Sequence, residues 1–206
     1  MSIFAKPQEK NENPYGVKIL FLHGLEGTPG GRKASHLRKE WSAFTPALRT
    51  QEISVLREKC GGDWKSLASN EIEECMSDAY KDAIDAVNYL KPDIVVGSSL
   101  GAALLYKLYA DGHHSGAGVF LAPAVPSLLS SKVISQGRVN MQPGNTFWLL
   151  GEADTIVSNS ENADICKLVN GNILYSPGDE HRLNKALESG LIDAVVLTAI
   201  ECLNRR

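Results

Sequence analysis

Cysteine is sparse and unpatterned in this chain. Four occur in 206 residues, Cys60, Cys75, Cys166 and Cys202, with no C-x-x-C pair and no histidines nearby at ligand spacing. A chain this long, with this much ordinary core material, needs no disulfide framework, and the spacing suits a metal site even less. Reduced thiols that pack are the expected use, as for Cys75 among helical apolar positions. Charge of one sign is also lacking: 21 Lys and Arg face 24 Asp and Glu, for a formal net charge of −3. That balance gives no electrostatic reason to expect nucleic acid or an anionic membrane as partner. Long apolar runs are missing too. The best one, Leu191 to Ile200, is short and contains Asp193. The first sixteen residues, MSIFAKPQEKNENPYG, lack the apolar run of a signal peptide and read as a loose polar tail. A cytoplasmic location is the expectation. No internal repeat, low-complexity segment or linker interrupts the rest.

What is present is enough apolar material, 43% of residues, for one sizeable core, so residues 17–206 are expected to form a single domain. Strand and helix patterns alternate along it. Val17 to Leu22 is an apolar run suited to a strand covered on both faces. Arg32 to Trp41 follows as a helix, with Ala34, Leu37 and Trp41 on one face. Phe44 to Leu48 reads as a weaker strand, placed at a sheet edge where Pro46 would be tolerated. Ile72 to Leu90 carries the longest helical pattern, and Pro92 ends it. Further strands are expected at Asp93–Gly97, Gly118–Leu121, Asn145–Leu150 and Asn172–Tyr175. Helices are expected at Ala102–Tyr109, Ser160–Val169 and Leu191–Leu203. Six strands alternating with helices predict an α/β fold, a three-layer α/β/α sandwich around a mainly parallel sheet. One connection, residues 123–144, is longer than such folds need. It is expected to be a short lid-like segment with a helix near Leu128, Leu129, Val133 and Ile134.

Four short stretches end predicted strands. Gly97-Ser98-Ser99-Leu100-Gly101 fits G-x-S-x-G between a strand and a helix. A reversal that sharp strains its central residue, holds the Ser99 hydroxyl out from the sheet, and leaves no room for side chains at Gly97 and Gly101. Ser98 lacks glycines two places away. Leu100 would offer a backbone N–H at the helix start. Phe21-Leu22-His23-Gly24-Leu25 ends the first strand. It can bring the Leu25 N–H beside that of Leu100 as a second donor to a tetrahedral oxyanion, with His23 fixing the loop. The glycine-rich continuation, Glu26 to Gly31, could instead cradle phosphate. It fits neither G-x-x-x-x-G-K-[ST] nor G-x-G-x-x-G. Gly151 to Val157 offers Asp154 as an acid to orient a histidine, with Glu152 as runner-up. Alone, the same stretch suits a solvated turn or a helix cap. Gly178-Asp179-Glu180-His181 supplies the histidine. His36 sits in the first helix, His113 and His114 in a loop expected at the surface, and Asp179 and Glu180 are expected as surface charges or loop anchors. The order Ser99, Asp154, His181 is that of a nucleophile–acid–base set on an open α/β sheet, whose carboxyl-end loops bind ligands.

FLHGLEGTPGGRKASHLR, VVGSSLGAALLYKL, LLGEADTIV and GDEHRL together resemble the α/β-hydrolase superfamily, and among its members the compact YqiA-like esterases. The resemblance covers residues 21 to 183. It implies a small, cap-less fold lacking the first two strands of larger relatives. It also implies a serine hydrolase that cleaves small carboxylic esters or thioesters with no cofactor and no metal. Acyl transfer on the same three residues, a non-enzymatic binding or signalling protein, and nucleotide binding at the first loop are the competing readings.

Overall fold

The computed structural model describes residues 13–61, 69–130, 141–142 and 144–205. Among these residues, five strands form one wholly parallel sheet in chain order: β1 (Ile19–Leu22), β2 (Ile94–Ser98), β3 (Ala117–Leu121), β4 (Thr146–Gly151) and β5 (Asn172–Ser176). Helices α1 (Arg32–Trp41), α2 (Gln51–Lys59) and α3 (Ser69–Leu90) lie between β1 and β2. Then come α4 (Leu100–Ala110), α5 (Val125–Ser130), α6 (Asn159–Leu168), α7 (Asn184–Glu188) and α8 (Leu191–Asn204). No described helix is long and apolar enough to cross a membrane.

The two faces of the sheet bury different side chains, as alternation along a strand requires. Leu20, Leu22, Val95, Phe120 and Trp148 face a layer built by α2, α3, α4 and α6. Ile19, Phe21, Val96, Val119 and Leu149 face α1, α7 and α8. The first three strands and β4 are buried on both sides, which is why they read as near-continuous apolar runs. At the centre, Phe120 and Trp148 are register partners on neighbouring strands, and their rings stack at 4.3 Å between centroids.

The sixth expected strand is absent. Residues 44–48 contribute a single bridge beside β1, in which Phe44 N–H donates to the Ile19 carbonyl and Phe21 N–H to the Phe44 carbonyl. Parallel pairing would next use the N–H of residue 46 on the same edge. Pro46 has none, so pairing stops after one residue. The bridge still fixes the topology. The chain leaves β1, touches its outer side at Phe44, then returns past it to β2. This creates a reversal of strand order, and the crevice for a ligand lies at such a point.

One further expectation changes and another narrows. His114 is buried, with Nε2 bonded to the Ala117 carbonyl, rather than exposed in its loop. Of the two roles expected for Asp179, surface charge and loop anchor, its burial excludes the first and leaves the second. Helices α2 and α7 were not expected. Of the expected tail, residues 1–12 lie outside the described residues, while Asn13 is buried and donates to the Val17 and Trp41 carbonyls. Of the expected lid-like segment, residues 131–140 and 143 lie outside the described residues, including Val133 and Ile134; α5 is its described helix.

Truncating Phe120 to Ala would remove both the stack and a fully buried ring between β3 and β4. A loss of about 3–5 kcal/mol in urea unfolding is expected.

Candidate active site

Ser99 stands between β2 and α4 with φ 53° and ψ −112°. A serine rarely adopts this conformation, and it costs about 1–3 kcal/mol. Four backbone bonds hold it there. The Ser99 N–H donates to the Leu121 carbonyl at 2.9 Å, and the Ser99 carbonyl accepts from the N–H groups of Ala102, Ala103 and Ala124. The flanking glycines are required by contact. A Cβ on Gly97 would come 2.5 Å from the Ala102 Cα, and one on Gly101 would strike the Leu22 carbonyl. Ser98 is the last residue of β2 and is buried, so the hydroxyl at the rim is that of Ser99.

His181 and Asp154 arrive from the loops after β5 and β4. His181 Nε2 lies 2.9 Å from Ser99 Oγ, and Nδ1 lies 2.8 Å from Asp154 Oδ2. An ionised carboxylate can only accept, so Nδ1 carries the proton and Nε2 is free to take one from the hydroxyl. The Asp154 side chain is fully shielded from solvent, and its other oxygen accepts the Ile156 and Val157 N–H groups. Burial alone would push this carboxyl up. The bonds from His181 and from the two backbone N–H groups outweigh burial and hold it below the usual carboxylate range. The turn and the orienting role, alternatives in the sequence, thus coexist on one side chain. Glu152 is engaged elsewhere and accepts the Gly178 N–H. The cap of α6 is Ser158, whose hydroxyl accepts the Glu161 N–H.

The loop after β1 packs against the serine: a Cβ on Gly24 would lie 3.3 Å from the Ser99 Cβ. Leu48 N–H donates to His23 Nε2, which leaves the His23 proton on Nδ1, where it bonds the Gly24 carbonyl at 2.9 Å. Gly27 N–H bonds the same carbonyl. The Gly24–Leu25 peptide is trans, so its N–H points away from these two donors. Leu100 opens α4, where the first N–H groups have no helical partner and positive potential gathers. No hydrogen bond to an acceptor among the described residues uses the N–H of Leu25 or of Leu100. No described cluster of three or more His, Cys, Asp or Glu is placed to hold a metal ion.

Asp179 takes the second of the two roles expected for it, a loop anchor; what the sequence did not reveal is its burial and its partners. Its Oδ2 accepts the Ser176 hydroxyl and the Ala186 N–H, and its Oδ1 accepts the Glu180 N–H, so it ties β5 to α7 across the His181 loop. The available signal was its position just before a short helix, where a carboxylate is favourable. Lys33 of α1 donates to the Arg182 carbonyl at 2.8 Å and braces the same loop. Burial brings its ammonium down to about 8, with the Arg182 charge adding to the shift and Asp179 opposing it.

Two outcomes are expected. Glycine relieves the strain at position 99, so Ser99→Gly should unfold at higher urea than Ser99→Ala, by about 1 kcal/mol. The second concerns pH. Burial holds the His23 pKa below its ordinary 6.5, so the unfolded chain binds the extra proton first as pH falls. Stability should therefore decline as pH drops below 6.5, with the depressed Asp154 carboxyl adding a further loss below its ordinary 3.8. In thermal unfolding from about pH 7 to pH 5, His23→Gln should lose less than the wild type. An equal loss would show that His23 does not titrate in that range.

No family model matches the chain, and no curated protein sequence matches it. Solved structures do. Est1E from Butyrivibrio proteoclasticus, a structure with ferulic acid bound, aligns with a TM-score of 0.65 at 13% identity, covering 94% of this chain and 91% of that one. One of the metagenome-derived lipolytic enzymes LipS and LipT aligns at 0.60 and 16% identity, covering 90% and 93%. An alpha-beta serine hydrolase homologue from Coxiella burnetii aligns at 0.57 and 16% identity, covering 92% and 86%. At such identities the likeness speaks for architecture: the chain has the fold of the α/β hydrolases.

Proposed function

We propose that the protein is a serine hydrolase that cleaves carboxylic esters or thioesters through an acyl-enzyme. The observation that carries this reading is the unbroken hydrogen-bond chain from Ser99 Oγ through His181 to Asp154, anchored on a strained serine backbone. His181 Nε2 takes the hydroxyl proton as Ser99 Oγ bonds to the acyl carbon. Asp154 holds the ring in the tautomer that can do this and stabilises the imidazolium that results. The negative charge that develops on the carbonyl oxygen is met by the N–H groups of Leu25 and Leu100; removing one such donor costs roughly 3 kcal/mol in comparable sites. Collapse breaks the bond to the alcohol or thiol, which leaves with the proton from His181. Water then attacks the acyl-serine, giving its proton to His181, and the acid departs as Ser99 regains its own. The fold shared with Est1E and the lipolytic enzymes supports the same class of chemistry by analogy.

A fluorophosphonate probe should label the wild-type protein and not Ser99→Ala. His181→Ala should remain folded by circular dichroism but lose turnover of p-nitrophenyl acetate by about 10²–10⁴-fold. Equal labelling of the serine variant, or undiminished turnover without His181, would remove that residue from the mechanism.

A further inference from the structure

The residues that follow the proposed oxyanion donor and the proposed base are charged and meet each other. Glu26 comes directly after Leu25, and Arg182 directly after His181. Their side chains pair, Arg182 Nη2 to Glu26 Oε2 at 3.5 Å. The other oxygen of Glu26 pairs with Arg57 Nη1 of α2 at 3.1 Å. Two guanidiniums thus share one exposed carboxylate, and two of the three side chains belong to the loops that carry Leu25 and His181.

This cluster differs from the other ion pairs. Arg32 with Glu188 fastens α1 to α7, and Arg49 with Asp78 and Asp82 fastens a loop to α3. Lys107–Asp111 and Lys167–Asp164 are pairs within one turn of a helix. Among the described residues, Glu26 is the carboxylate with two guanidinium partners. The cluster carries a surplus positive charge on a chain whose net charge is −3. Lys33, bonded to the Arg182 carbonyl, is a further cation near the cluster, and the buried carboxylate of Asp179 offsets it. Glu180, exposed on the other side of His181, has no ion pair with either arginine. The three clasp side chains are exposed: Glu26 by 68%, Arg57 by 39% and Arg182 by 78%. Exposed pairs of this kind are weak and open readily. Guanidinium forks suit planar or tetrahedral oxyanions, and two of them converge here on one.

Building on the serine hydrolase reading above, we propose that Glu26 occupies the seat of a substrate oxyanion between Arg57 and Arg182, so that the preferred ester or thioester carries a carboxylate or phosphate group. Such a substrate displaces Glu26, takes both guanidiniums, and is drawn over Ser99. A neutral substrate finds the seat filled by the protein's own carboxylate.

Matched esters test this. On the alcohol side, 4-acetoxybenzoate and 4-acetoxyphenyl phosphate are compared with neutral 4-acetoxybenzamide. On the acyl side, the p-nitrophenyl half-ester of adipic acid is compared with that of adipamic acid. The readout is the ratio of kcat/KM for anionic over neutral partner. The wild type should favour the anion on at least one side by about fivefold, mainly through KM, and the stronger of the two alcohol-side anions identifies carboxylate or phosphate as the natural group. Salt at about 0.5 M should shrink the ratio. Glu26→Gln should raise the ratio, and Arg182→Gln or Arg57→Gln should bring it toward one. A ratio near one on both sides in the wild type, or an equal gain for neutral and anionic esters in Glu26→Gln, overturns the proposal and leaves the clasp a plain latch. Absence of turnover for every ester, with no fluorophosphonate labelling, would instead sink the hydrolase reading and this inference with it.

Discussion

The backbone of Ser99 is strained and held by four hydrogen bonds, and the rest of the site depends on it. Its N–H reaches the end of β3, and its carbonyl gathers N–H groups from α4 and from Ala124 beyond β3. Those bonds join the strand before the serine, the helix after it and the neighbouring strand's exit. They keep a left-handed residue from relaxing, which would otherwise recover about 1–3 kcal/mol. The same reversal points α4 away from the sheet top and leaves the N–H of Leu100 without an acceptor among the described residues. A hydroxyl held out and an N–H left open are thus two results of one turn.

The remaining groups are set by loops that are individually braced. On one side, His23 is locked as a neutral donor by Leu48 N–H and turns the Gly24 carbonyl, and with it the Leu25 peptide. On the other, Asp179 organises the loop of His181 from within, while Lys33 holds it from α1. These braces are buried or half-buried polar groups with partners, which is the condition for rigid placement at a site that must stay partly open to solvent.

Much of this was legible locally. The G-x-S-x-G turn announces itself because two glycines at fixed offsets from one serine sit between an apolar run and a helical pattern, although the Leu22 carbonyl that demands Gly101 is distant in sequence. The order of Ser99, Asp154 and His181 follows from strand ends that read as apolar runs. Arg32–Trp41 was clear from its one-sided apolar face. Failures came where the deciding partner is distant or missing. Phe44 to Leu48 has strand-like residues, but a proline falls on the edge that needed a donor. Helix α2 buries only Ile53 and Leu56, too few to show a period in nine residues. His114 looks like a surface residue in sequence, and Asp179 like either a surface charge or a loop anchor. Their partners, the Ala117 carbonyl and the Ser176 hydroxyl and Ala186 N–H, are near in the chain, yet burial is imposed by elements packed from elsewhere.

The two layers beside the sheet divide the work of the site. The serine and its helix α4 belong to the layer of α2, α3 and α6, whereas the loop of His181 rests on α1, α7 and α8. Relative movement of the layers would therefore separate His181 from Ser99. The second layer is pinned by Asp193 at the start of α8, which accepts from Trp41 Nε1 and pairs with His36 Nε2, both on α1. Arg32 adds the tie from α1 to α7. Since Lys33 on that same helix donates to the Arg182 carbonyl, α1 ties this layer to the loop that carries His181. A 2.9 Å contact between Ser99 and His181 is thus held by the sheet on one side and by a helix some 150 residues away in sequence from its anchors on the other.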